Sequence, residues 1–222
     1  MVHHRALWRP ATQSAGVAVT STTPLRRQPV QQRSAKRVER MLEACAQLIE
    51  EVGYDGVTTT LIAERAGVAV GSLYQFFPDK RAVVQALTLR NLEKFIQTVD
   101  GRFTSTTLEH WWDAVDSIFD VYVSMHREVP AFSKLHFGDV VDMRLLDDRR
   151  DNNTVISDRI AEMISAKFDI PFAELELPIS IAVEAADGVL NLAFRRDPAG
   201  DQRILDEAKA MVRGYLSTRL PD

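Results

Sequence analysis

One cysteine, Cys45, stands in a chain of 222 residues. It has no intramolecular partner for a disulfide and cannot build a thiolate metal cluster, so a reducing, cytoplasmic setting is the expectation. Histidine is scarce as well, with five in the chain. His126 and His136 fall on different expected elements, and two histidines do not make a metal site, so neither metal nor cofactor is expected. There is no Gly-rich phosphate loop, no HExxH, no nucleophile elbow and no Cys/His pairing, which leaves enzymatic chemistry little to stand on. No apolar run approaches the roughly 18 residues that span a membrane. The N-terminal GVAV is too short, and too polar at its flanks, to be a secretory h-region. Strand-type alternation of useful length and internal repeats are both missing, and the fold class expected is all-α.

What the chain does have is an uneven charge. Its net charge is -4. Residues 1–40 hold eight basic residues against one acid, and residues 101–222 hold 14 basic against 22 acidic. A basic front and an acidic back confine any polyanion binding to the N-terminal part. Residues 1–32 are rich in Thr, Ser, Gln, Pro and Arg, bury too little to offset ordering entropy, and read as a disordered basic arm. The remainder divides at a Thr- and Ser-rich loop after Gly101, into units of 33–100 and 101–222.

From Ser34, apolar Val38, Met41, Leu42, Cys45, Leu48, Ile49 and Val52 recur at helical spacing, and Gly53 ends the run. Thr58 is a good N-cap for a second helix. Gly67 closes it and can take the positive φ of a sharp reversal. A short helix from Val70 to Phe76 follows, stopped by Pro78. Asp79 caps a long one from Lys80 to about Asp100. Two short helices joined by a tight turn are the geometry of a helix-turn-helix, which sets its second helix in the DNA major groove.

The residues suit that use. Leu73 and Phe76 can anchor the short helix on its neighbours. Val70, Gly71, Ser72, Tyr74 and Gln75 then face outward. Gln75 can pair with adenine in bidentate fashion, Val70 can pack on a thymine methyl, and Gly71 and Ser72 admit close backbone approach. Tyr74 can reach a phosphate. Thr58, Thr59 and Thr60 put hydroxyls and free N–H groups at a helix N-terminus, and Lys80 stands on the other side, so the two could clamp one DNA backbone. Singly, Thr58 is equally well read as a cap and Lys80 as a solvated lysine. Arg26, Arg27 and Arg33 could enter a neighbouring minor groove, although an unstructured tail is the simpler reading.

Ser34 to Asn91 resembles the DNA-binding domain of the TetR family of transcriptional regulators. The matching residues are Gly53-Tyr54, Thr58-Thr59, Ile62-Ala63, Ala66-Gly67-Val68 and Leu73-Tyr74, followed by Phe77 and Lys80. Two departures are mild. Val83 stands where leucine is usual. Ala69 stands where serine is common, which puts one cap or phosphate contact in doubt. The resemblance implies phosphate-contacting roles for Tyr74 and Lys80, a place beside the backbone for Thr58 and Thr59, and base-facing positions for Val70, Gly71, Ser72 and Gln75. Arg33, Thr60 and Phe77 complete the expected DNA-binding set. It further implies a homodimer on a double-stranded DNA operator, a small-molecule effector bound in the C-terminal unit, and repression as the commoner behaviour.

The back half is less specific. Expected helices cover Leu108–Arg127, Ala131–Phe137, Asp151–Phe168, Glu174–Phe194 with an interruption at Pro178, and Gln202–Arg219. Small residues Ala182, Ala185, Ala186, Val189 and Ala193 form one face, and Ala208, Met211 and Tyr215 sit on an apolar stripe. Together they are the expected dimer interface. Aromatic and methionine residues, among them Trp111, Phe119, Tyr122 and Met163, could line an apolar pocket, with Asp187 and Asn191 as its polar groups; a plain core and a solvated stripe are the competing readings. A helical adaptor that keeps the helix-turn-helix shape for protein contacts is the rival class.

Overall fold

The computed structural model describes residues 32–135 and 152–221. The arm up to residue 31 lies outside these, as do His136, Phe137 and Met143. Among the described residues every regular element is helical, as the missing alternation predicts.

Helix α1 (Gln32–Gly56) opens two residues ahead of Ser34 and bends at Gly53, whose φ of 69° and ψ of 168° interrupt the helical path. α2 (Thr59–Arg65) is capped by Thr58, whose side chain accepts the Leu61 N–H at 3.2 Å. Gly67 takes a φ of 63° and turns the chain. α3 (Val70–Phe76) begins at Ala69 without a side-chain cap, the contact that serine at this position would supply. α4 (Lys80–Ser105) is capped by the Asp79 carboxylate, which accepts the Ala82 N–H at 2.9 Å.

α4 outruns the expected end at Asp100 because Gly101 does not stop it. Buried Phe103 continues the stripe of Phe95 and Val99, and the Lys167 ammonium holds the Phe103 carbonyl at 3.3 Å. α5 (Trp111–Glu128) starts three residues later than Leu108, where the Asp113 carboxylate accepts the His110 N–H at 3.0 Å. The piece expected over Ala131–Phe137 is a short 3-10 turn, Phe132–Lys134, entered through Ala131 at a φ of 62°. α6 (Asn152–Phe168), α7 (Phe172–Arg196) and α8 (Gln202–Leu216) follow among the described residues. Pro178 lies inside α7 without breaking it; Leu175 and Ile179, buried on either side, hold the helix across the missing N–H.

Buried side chains gather in two clusters. One joins α1, α2, α3 and the first part of α4 through Met41, Ile49, Ile62, Leu73, Phe77 and Leu87. The other joins the rest of α4 to α5, α6, α7 and α8. They part within α4, between Leu87 and Leu92. Ala131 and Leu135, far along the chain, belong to the first cluster.

By length and apolarity α7 could cross a membrane, its best window having a mean hydropathy of 1.4 and only 28% of that window being buried. No uninterrupted apolar run of that length underlies it, since Glu184 and Asp187 fall within the helix. The apolarity of α7 is divided between a face against α6 and α8 and an outer strip.

Candidate nucleic-acid interface

α3 is short, and two residues decide its orientation. Leu73 and Phe76 are buried against the preceding helices, which turns Val70, Gly71, Tyr74 and Gln75 outward and leaves Ser72 half-exposed. Tyr74 is 44% exposed despite its ring. A methyl group added at Gly71 would meet nothing in the protein, so internal packing does not require glycine there and the space is open to an incoming surface.

The Thr59 and Tyr74 hydroxyls lie 3.0 Å apart, joining the N-terminus of α2 to the face of α3. Thr58 and Thr60 are exposed beside them. The first turn of α2 presents N–H groups that lack helical partners, a setting that favours anions. Arg33 is exposed on the first turn of α1, with Lys36, Arg37 and Arg40 exposed further along that helix.

Two residues expected to contact DNA are engaged within the protein, one of them wholly buried. Phe77 is 0% exposed and is one of the largest side chains in the first cluster, so it supports α3 from beneath and reaches no ligand. The match at Phe77 is a match of core. Lys80 is half-buried; its ammonium donates to the Tyr54 carbonyl at 3.0 Å and lies 4.4 Å from the centroid of the Tyr54 ring. It ties the start of α4 to the bend of α1. Arg65 forms a two-pronged pair with Glu51 at 2.8 and 2.7 Å, fixing α2 on α1. The Arg65 guanidinium holds the Glu51 carboxyl below the usual carboxylate range.

A second feature is an open apolar cleft in the rear cluster, with about 450 Å³ of non-protein space counted out into the solvent at its mouth. Phe119, Tyr122 and Asp187 line it as expected. Its remaining walls come from Phe95, Ile118, Asn153, Ile156, Ile160, Val183, Ala186 and Leu190, which helical spacing alone could not single out. Trp111 is not on the cleft: its indole N–H donates to the Pro221 carbonyl at 3.0 Å, pinning the chain's end to α5. Met163 is core and does not line it either. Asn191 stands behind the wall, its amide donating to Asp187 at 3.3 Å and its carbonyl oxygen buried without a hydrogen bond. Burial, with the Asp187 charge second, pushes the Tyr122 phenol well above its ordinary range. Among the described residues no group of three His, Cys, Asp or Glu side chains could hold a metal.

Most of the small-residue face of α7 is covered within the chain, with Ala185 as its exposed member. Ala182, Ala193 and Ala208 are covered within the chain's own core, and Ala186 turns to the cleft. Val189 and Tyr215 are half-buried. The outward strip instead carries Leu177, 68% exposed, with Ile181, Ala185 and Gly188, beside Met211 of α8. The strip keeps Ala185 and Met211 of the expected set and exchanges the buried alanines for Leu177, Ile181 and Gly188, which repeat at helical spacing on the adjoining face.

Residues 41–87 match the family model described as bacterial regulatory proteins, tetR family, and residues 109–220 match a tetracyclin repressor-like C-terminal domain. The crystal structure of a TetR-family transcriptional regulator from Streptomyces coelicolor is 38% identical and superposes with a TM-score of 0.73 over 85% of this chain and all of that one (100%). The HTH-type transcriptional repressor KstR of Rhodococcus jostii is 39% identical over 59 residues, 27% of this chain and 28% of that protein. The Thermus thermophilus repressor FadR, solved with lauroyl-CoA, shares the fold at 18% identity with a TM-score of 0.58, covering 83% of this chain and 96% of that one. The chain spans about half, or less, of the length of the curated relatives it matches first.

Proposed function

Because this chain belongs to the TetR family of bacterial regulatory proteins, we propose that it is a ligand-responsive repressor that binds a palindromic operator as a homodimer and releases it when an effector fills the rear cleft. The observation that carries the reading is the exposed face of α3. Val70, Gly71, Ser72 and Gln75 form the base-reading set, supported by buried Leu73 and Phe77 and flanked by the Thr59 and Tyr74 hydroxyls. Tyr74, with Thr58, Thr59 and Thr60, fixes the register on phosphates, and Arg33 adds a cation from α1.

Residues 33–100 form the reading unit and 101–222 the effector and dimer unit, with α4 shared between their cores. The strip of Leu177, Ile181, Ala185 and Met211 pairs with its copy, since small and aliphatic side chains left in water gain most by self-association. Two α3 helices then meet successive major grooves about 34–36 Å apart. The effector binds among Phe119, Tyr122, Ile160 and Leu190, with Asp187 as the polar group, and acts in the cytoplasm where the operator is. Regulation requires a difference in effector affinity between the two states of about 1–3 kcal/mol.

A gel-shift titration on the DNA upstream of the protein's own gene tests this. A salt-sensitive, sequence-preferring shift by a dimer is the expected result. A shift indifferent to sequence and salt would favour a protein-binding adaptor and sink the proposal.

A further inference from the structure

The last turn of α1 before its bend at Gly53 is held by a segment that belongs, in chain order, to the effector unit. The Ala131 N–H donates to the Glu50 carboxylate at 2.7 Å. The Lys134 ammonium donates to the Glu50 carbonyl at 2.9 Å and the Ile49 carbonyl at 3.4 Å, with the Glu50 carboxylate 3.5 Å away. This segment therefore braces α1 just before its bend, from 80 residues along the chain or more. Ala131 and Leu135 are buried in the reading unit's core.

The other end of the segment reaches the cleft. Phe132 meets the Tyr122 ring edge-on, with centroids 5.5 Å apart, and Tyr122 is a cleft wall. A continuous path of contacts therefore runs from the cleft through Tyr122 and Phe132 to Lys134, Glu50 and the Gly53 bend, beyond which Thr58 caps α2.

We infer that residues 131–135 form a clasp that couples the cleft to the reading head, with Glu50 and Lys134 as positioning residues that act through α1 and never touch DNA. The inference rests on the reading of the cleft as the effector site. Filling the cleft displaces Tyr122, Phe132 follows, and the clasp loosens its hold on α1. α4 alone, the one helix among the described residues that is shared by both cores, is the competing route.

The test uses a built-in filler, Ala186→Phe, since Ala186 lines the cleft. DNA affinity is measured for the parent, A186F, K134M and the double variant on one upstream fragment. With the clasp intact, A186F weakens binding roughly tenfold, within the range of allosteric couplings. In the K134M background the same filler changes it by less than about twofold, a non-additive cycle. Lys134→Arg, which keeps a cationic donor, restores the response. Equal weakening in both backgrounds would overturn the clasp and leave α4 as the route. No effect of A186F with the clasp intact would overturn the cleft reading itself, and the clasp with it. Should A186F fail to fold, Val183→Phe on the same wall replaces it. Hydrogen exchange at Thr58–Leu61 gives a second readout that needs no operator: the filler accelerates it with Lys134 present and leaves it unchanged with methionine there. Acceleration in both backgrounds counts against the clasp.

Discussion

The Tyr74 hydroxyl on α3 and the Thr59 hydroxyl on α2 are 3.0 Å apart, and both side chains reach the protein surface. They form one polar point from two helices. Tyr74→Phe removes half of it and leaves the ring in place. One neutral hydrogen bond contributes about 1 kcal/mol, so DNA affinity should fall about fivefold on every sequence alike. Fluorescence anisotropy on specific and scrambled duplexes measures it. A loss confined to the specific duplex would move Tyr74 from the phosphate set to the base-reading set.

Gln75 and its neighbour Leu73 should separate binding from folding. Gln75→Ala is expected to relax preference at one position per half-site by about 1–3 kcal/mol, with the melting temperature unchanged. Leu73→Ala empties a fully buried site and should destabilise the fold by about 2–5 kcal/mol. Selection on a randomised operator and thermal melting, run on both variants, check the pair. Unaltered preference in the Gln75 variant would remove it from the reading set.

Leu177→Glu places a charge on the exposed strip of α7. Sedimentation should report a monomer of unchanged helicity, and operator affinity should fall by at least about two orders of magnitude as the two half-sites are uncoupled. Ala208→Glu, by contrast, buries a charge in the chain's own core and should unfold it. A dimer that survives Leu177→Glu would direct attention away from this strip.

Stability should fall in alkali partly through one thiol. Burial pushes Cys45 up from 9.0 to about 12, with the Arg90 and Lys80 charges pulling the other way. The unfolded chain therefore ionises at this position before the folded one does. The contribution of the neutral thiol is complete below pH 9.0 and is lost as pH climbs towards about 12. Its slope is at most ~1.4 kcal/mol per pH unit. Urea unfolding of the parent and of Cys45→Ala across this range should show a flatter curve for alanine, with Tyr122→Phe in parallel because burial raises that phenol too.

The reading head was legible because its signals are local. Thr58, Gly67 and Asp79 act within four residues of themselves, and a cap or a positive φ can be recognised from the residue type. Where a side chain's fate depends on distant chain, reading failed. Lys80 finds Tyr54, 26 residues back, and Trp111 finds Pro221, 110 residues ahead. Phe77 carried a family match whose physical content was burial. On α7, periodicity reports that a helix has two kinds of face; it does not report which of them another helix of the same chain will cover.

Ala131 holds a φ of 62°, a conformation that costs a residue with a β-carbon about 1–2 kcal/mol and glycine nearly nothing. Surrounding contacts must supply that difference for as long as the segment stays seated. Ala131→Gly should therefore grip α1 more tightly and demand a larger perturbation in the cleft before the head lets go. The threshold of the switch is then adjustable by a single methyl group that lies outside the cleft and off the face of α3.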